Sequence, residues 1–255
     1  MPAPVNPLKQ ALAEGRTQIG FWQAMASPVA TEISAHAGFD WLLLDAEHGP
    51  NTIATLLAQL QAMNGSPATP VVRPPVGQDW VVKQMLDLGV QSFLIPMVDT
   101  AAQAADVVAM LRYPPEGRRG VGAALARASG YNAAADYVET ANAQICTIVQ
   151  AESRAAIDNL DAICAVEGVD GVFVGPADLG ADLGRAGPVS PAELDRVVED
   201  ALARIAASGK AAGIIAFDPA RAERHICTGA RFVAVGGDVT VFGAAARGLA
   251  SAFRA

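Results

Sequence analysis

Eight short apolar runs recur along the 255 residues of the chain, and most do not alternate polar with apolar side chains. They cover 17–25, 39–45, 69–74, 91–98, 144–150, 170–176, 211–217 and 231–237, and are rich in Val, Ile, Leu and Phe. A strand covered on one face reads as strict alternation; an unbroken run marks a strand buried on both faces, as in a parallel sheet. Helical patterns fill the intervals at 28–38, 51–65, 79–89, 100–113, 153–168, 190–209 and 218–230, and an eighth, 239–253, follows the last run. N-cap candidates such as Asn51 or Thr52 stand at their fronts and Gly at many of their backs. Eight strand-then-helix units predict a single α/β domain over 1–255, a (β/α)8 barrel. A doubly wound open sheet is the alternative, but its GxGxxG nucleotide fingerprint is absent after the first run. The longest irregular stretch, 112–134, reads as an excursion from that domain.

Hydrophobic residues make up 52% of the chain and charged residues 17%, which supports a large core and argues against disorder. The net charge of -8 argues against nucleic acid and anionic membrane as partners. No run approaches the roughly 20 apolar residues that span a bilayer. Three cysteines without a CxxC pair read as reduced thiols, hence a cytoplasmic setting.

Ionisable residues gather where the runs stop. "WLLLDAEHGP" (41–50) passes from four apolar residues to Asp45, Glu47 and His48; Arg73 closes the third run, Gln150 and Glu152 follow the fifth, Asp178 the sixth and Asp238 the eighth. In a barrel these strand ends share the active face. Glu152 and Asp178, from neighbouring ends, suit a hard cation such as Mg²⁺ or Mn²⁺; the plainer reading is that each caps a helix. His48 suits a general base whose tautomer Asp45 or Glu47 fixes, or a loop histidine held by hydrogen bonds. His36 and His225 fall within helical patterns and read as structural. Arg73 can hold a carboxylate or an enolate oxygen, or pair with Asp45 or Glu47. "VGGD" (235–238) reads as a tight turn or as a phosphate cradle, and "RRGVG" (118–122) as a partner contact, a solvated loop or an anion site. The three lysines, Lys9, Lys83 and Lys210, end no strand, so no Schiff-base lysine is placed at the rim.

"GFDWLLLDAEHGPN", "VVRPP", "QAES" and "GVFVGPADLG", in this order, resemble the metal-dependent HpcH/HpaI aldolases over nearly the whole chain. The resemblance implies a TIM barrel of the phosphoenolpyruvate/pyruvate-binding type. It implies a lyase that cleaves 4-hydroxy-2-oxo acids to pyruvate and an aldehyde, with a place in aromatic catabolism. Glu152 and Asp178 would hold Mg²⁺, Mn²⁺ or Co²⁺, with no nucleotide; His48, supported by Asp45, would be the catalytic histidine. Arg73 would contact the keto oxygen, and Gln150 and the backbone at Ala177 would hold the pyruvate unit. Glu47 would lie by the metal's water shell. The resemblance further implies a homo-oligomer, a hexamer, in which the last helix packs on a neighbour and Asp87 enters a neighbour's site. One departure is Gly180, where relatives commonly carry Ser. Citryl- or malyl-CoA cleavage, a phosphate-binding isomerase and a silent metabolite-binding barrel are the alternatives.

Overall fold

The computed structural model describes residues 1–254, apart from the side chain of Ala186. Eight parallel strands close on themselves in sequence order: β1 Gln18–Gln23, β2 Trp41–Asp45, β3 Thr69–Arg73, β4 Ser92–Ile95, β5 Cys146–Ala151, β6 Gly171–Val174, β7 Ala211–Ile215 and β8 Ala230–Gly237. The helices are α1 Pro7–Ala13, α2 Pro28–Ala35, α3 Ile53–Ala62, α4 Asp79–Asp87, α5 Ala101–Leu111, α6 Tyr137–Ala141, α7 Arg154–Asp158, α8 Leu160–Cys164, α9 Pro176–Leu183, α10 Pro191–Ala207, α11 Pro219–Thr228 and α12 Asp238–Ala252. This is the expected (β/α)8 barrel, and it fills with side chains instead of leaving a pore.

Local expectations are corrected at several points. The pattern at 153–168 is two short helices, α7 and α8, broken at Asn159. Besides the five-residue α6, two helices had no counterpart in the sequence reading. One is α1, capped by Asn6, whose side chain accepts from the Lys9 N–H. It earns its place by burial: Leu8 and Leu12 join the barrel's inner cluster. The other is α9, which starts directly from Gly175 with Pro176 in its first turn and no side-chain cap.

Strand period does the rest. Trp41 and Leu43, Val71, Cys146 and Ile148, and Phe173 share the inner cluster, while their neighbours Leu42, Leu44, Val72, Val149 and Val172 face the helices. Trp41 stacks on Phe232 at 3.9 Å between ring centroids. That stack requires glycine at position 20, where a Cβ would sit 2.0 Å from the Trp41 ring. Two residues further along β2, β3 and β5 the inward series turns polar: Asp45 follows Leu43, Arg73 follows Val71, and Gln150 follows Ile148. Asp45 and Arg73 are direct register partners across β2 and β3, as are Gln150 and Phe173 across β5 and β6.

The excursion after α5 folds onto the barrel around Tyr113, Tyr137 and a fully buried Arg119 guanidinium, which lies 4.2 Å from the Tyr113 ring centroid. All three cysteines are free; Cys146 and Cys164 are buried and Cys227 is exposed. Among the described residues no helix is long and apolar enough to cross a membrane.

Candidate active site

Asp45 lies at the centre of the rim and is only 2% exposed. Its two oxygens accept from Arg73 Nε at 3.0 Å and Nη2 at 2.6 Å. Oδ2 also accepts from the Trp22 indole N–H at 3.1 Å, and Oδ1 from the backbone N–H groups of Glu47 and His48. Burial pushes the carboxyl up, but the Arg73 hydrogen bonds and charge, with those of Trp22 and Glu47, outweigh it and hold Asp45 below the usual carboxylate range. The sequence reading had Asp45 or Glu47 fix the His48 ring. Asp45 accepts from the His48 backbone N–H, and the exposed His48 ring has Nε2 3.8 Å from Glu47 Oε2.

Arg73 is the hub. Its Nη1 reaches Glu47 Oε2 at 2.9 Å, and its guanidinium lies 5.0 Å from the centroid of Trp22. The ion pairs weighed against a substrate role are thus formed, and they lock the planar fork in one orientation.

Across the mouth, Glu152 is buried and held at both oxygens. Oε1 accepts from the Met97 N–H at 2.8 Å, and Oε2 from the Gln150 side-chain amide. Met97 reaches this position with φ +59°, a left-handed conformation that costs a non-glycine residue about 1 kcal/mol. Gly175 permits the approach: a Cβ there would lie 2.8 Å from Glu152 Oε2 and 3.0 Å from Gln150 Nε2. Asp178 stands exposed in the first turn of α9, one strand over from Glu152.

The electrostatics are lopsided. Four carboxylates, Asp45, Glu47, Glu152 and Asp178, share the rim with one guanidinium, Arg73. Burial pushes the carboxyl groups of Glu47 and Glu152 up; the charge of Asp178 reinforces both, against opposing contributions from Arg73 on Glu47 and from Met97 and Gln150 on Glu152. Among the described residues no three His, Cys, Asp or Glu side chains form a ready-made metal cage. A pair of hard oxygen donors beside an open cavity, in surplus negative charge, nevertheless fits a divalent cation that keeps waters.

The cavity has a volume of about 280 Å³ and is lined by the polar His48, Arg73, Gln150 and Asp178 together with the aromatic Trp22, Phe173 and Phe217. It gathers five of the expected residues, Ala177 included; Glu152 stands behind Gln150 and Gly175. Asp87 lies elsewhere, against Arg119 Nη2 at 3.1 Å. Trp22, Met97 and Gly175 were missed. Trp22 ends the first run and could have been found by the same strand-end logic, whereas a backbone N–H leaves no mark in a sequence. At "VGGD", Gly236 and Gly237 belong to β8, which runs straight into α12, and the Asp238 carboxylate takes up the N–H groups of Ala24, Met25 and Val239. The lysines lie off the rim: Lys9 pairs with Asp170 and Lys210 bonds the Val169 carbonyl.

A parallel barrel with acids and an arginine converging at its strand ends has the layout of an active face, and the family match and named aldolase relatives that follow make the chain a carbon–carbon lyase of the aldolase class. The chain belongs to the HpcH/HpaI aldolase/citrate lyase family, whose model matches residues 18–245. It is 52% identical to a hydroxypyruvate/pyruvate aldolase of Agrobacterium fabrum, over 100% of this chain and 96% of the relative. It is 50% identical to a 2-keto-3-deoxy-L-rhamnonate aldolase of Klebsiella pneumoniae, over 93% of this chain and 89% of the relative. A crystal structure of an HpcH/HpaI aldolase/citrate lyase family protein from Burkholderia cenocepacia superposes with a TM-score of 0.93 at 38% identity, covering 98% and 100% of the two chains.

Proposed function

We propose that this protein reversibly cleaves 4-hydroxy-2-oxo acids into an aldehyde and pyruvate or a related 2-oxo acid, as the names of its relatives suggest. The observation that carries the reading is the buried Arg73 fork, fixed by Asp45 and Glu47 beside the Glu152–Asp178 pair.

Glu152 and Asp178 would hold a divalent cation, Mg²⁺, Mn²⁺ or Co²⁺, which when bound supplies positive charge that favours the enolate. Arg73 binds the keto oxygen and carries part of the charge that develops there as the C3–C4 bond breaks. Its orientation needs no adjustment during the reaction, because Asp45 and Glu47 already hold it. His48, or a water that it polarises, takes the C4 hydroxyl proton in cleavage and the C3 proton of the 2-oxo acid in synthesis. The electron pair of the broken bond stays with the 2-oxo acid as its enolate and is quenched by a proton at C3. Gln150 and the Ala177 backbone orient the 2-oxo acid, and Glu47 would stand near the water shell of a bound cation.

The assembly is a homo-hexamer. Val241, Phe242 and Leu249 leave an apolar surface on α12 open to solvent, a surface that suits burial against a neighbour. Asp87, about one-third exposed on its Arg119 support, reaches into a neighbouring site.

The test is an assay of aldol formation from pyruvate and a panel of aldehydes, before and after chelation, with the particle mass measured by light scattering. Metal-dependent product from a hexamer supports the reading. Methyl protons of pyruvate that never exchange with solvent, with metal present, would sink it.

A further inference from the structure

The His48 side chain is 69% exposed, and Glu47 Oε2 stands 3.8 Å from its Nε2, beyond hydrogen-bond reach. Within this chain, the place of the imidazole is therefore set by the backbone that carries it. That backbone, from Asp45 to Asn51, is closed twice. The Asp45 carboxylate accepts from the N–H groups of Glu47 and His48, and at the far end Asn51 Nδ2 donates to the Asp45 carbonyl oxygen at 2.7 Å. Glycine at position 49 permits this closure: a Cβ there would lie 2.4 Å from the same carbonyl oxygen and 3.1 Å from that of Ala24.

The Asn51 amide is itself held in one orientation. A carbonyl oxygen only accepts, so Nδ2 must face Asp45 and Oδ1 must point the other way. Oδ1 accepts from the Gln59 side-chain amide, whose nitrogen also donates to the Thr55 carbonyl at 3.1 Å. Gln59 Oε1 accepts from the Thr31 hydroxyl at 3.0 Å. Gln59 on α3 and Thr31 on α2 are both fully buried, and a single partner removed from such a chain leaves the next group unsatisfied. Helix capping does not account for Asn51, because Thr52 caps α3. We infer that Asn51 is a positioning residue for His48: it ties the end of the loop back to β2, and Gln59 and Thr31 fix its amide for that task. The inference rests on the aldolase reading above, in which His48 moves the proton, and adds what sets the place of that base.

Two variants test it, Asn51→Asp and Asn51→Ala. An ionised Asp keeps the acceptor for Gln59 and loses the donor for Asp45; Ala loses both and adds no charge. In aldol formation from pyruvate and propanal, kcat should fall about tenfold in both, a part of what a general base contributes. KM for pyruvate and the affinity for Mn²⁺ should stay within about twofold, because Arg73, Gln150, Glu152 and Asp178 are untouched. In a His48→Ala background either change should alter kcat by less than about twofold, since a residue that acts through His48 then has nothing to place. Wild-type kcat in both variants overturns the inference. So does an equal fall in the His48→Ala background, which a merely structural role would produce. Amide hydrogen exchange gives a second measurement that needs no turnover: the Glu47 and His48 N–H groups should exchange about tenfold faster in both variants, with β2 protected as in the wild type. Unchanged exchange at these two amides overturns the inference, even if aldol activity is present. Faster exchange in the variants of a protein whose wild type forms no aldol product would instead retain the loop anchor and remove the aldolase reading.

Discussion

Arg73 and Asp45 stand directly opposite each other on adjacent strands and form a two-point ion pair, at 3.0 and 2.6 Å, with both side chains almost wholly buried. Breaking such a pair from one side strands the other charge, at about 3–5 kcal/mol. Asp45→Asn should therefore lower stability to urea by about 3 kcal/mol and reduce kcat/KM about 100-fold through misorientation of Arg73. Arg73→Lys should lose a similar factor, because an ammonium cannot reproduce the fork. Wild-type kinetics in either variant would remove Arg73 from the reaction.

Gly175 is the point where Gln150 and Glu152 press on the backbone. A Cβ would stand 2.9 Å from Glu152 Cβ, closer than real side chains approach. Gly175→Ala should weaken Mn²⁺ binding about tenfold, since displaced supporting groups cost about that much. Calorimetric titration reads this directly, and unaltered affinity would show that Glu152 is not the ligand.

Removing the metal is the broader test. Exhaustive chelation should abolish aldol cleavage, and Mg²⁺, Mn²⁺ or Co²⁺ should restore it. Restoration should fail in a Glu152→Ala, Asp178→Ala double variant that retains its fold by circular dichroism.

His225 supplies a pH dependence away from the reaction. Burial depresses its imidazole pKa below the ordinary 6.5, Arg221 and Arg224 add to this, and Glu199 and Asp195 oppose it. The unfolded chain then binds the proton more readily, so stability is complete above about pH 6.5 and falls as pH drops below it. His225→Phe should flatten the melting temperature between about pH 6.5 and 5. An equal slope in both proteins would contradict the assignment.

Gly20 tests the inner packing. Gly20→Ala drives a methyl group into the Trp41 ring, 2.0 Å away, and should destabilise by about 3 kcal/mol in urea unfolding, with the metal affinity of surviving protein unchanged.

Much of this architecture is readable along the chain. Unbroken apolar runs such as 41–44 and 172–174 need cover on both faces, and only intervening helices provide it, so strand number and barrel closure follow. The change from Leu44 to Asp45 marks the point where the wall ends. What the pattern cannot carry are contacts between distant residues. α1 has too few periodic residues to announce itself, and its role as a plug exists only once a barrel end needs covering. The Met97 N–H on Glu152 crosses 55 residues and involves no side chain of Met97.

The sequence by itself determined the barrel, the rim and the types of residue that stand on it, because burial period and strand ends are local properties. Only the tertiary structure decided that Asp45 serves Arg73 and the loop backbone instead of the His48 ring, and that the Asn51 amide meets Asp45 on one side and Gln59 on the other. Those outcomes depend on which donors and acceptors meet after closure, and a buried polar atom finds or lacks its partner only in three dimensions.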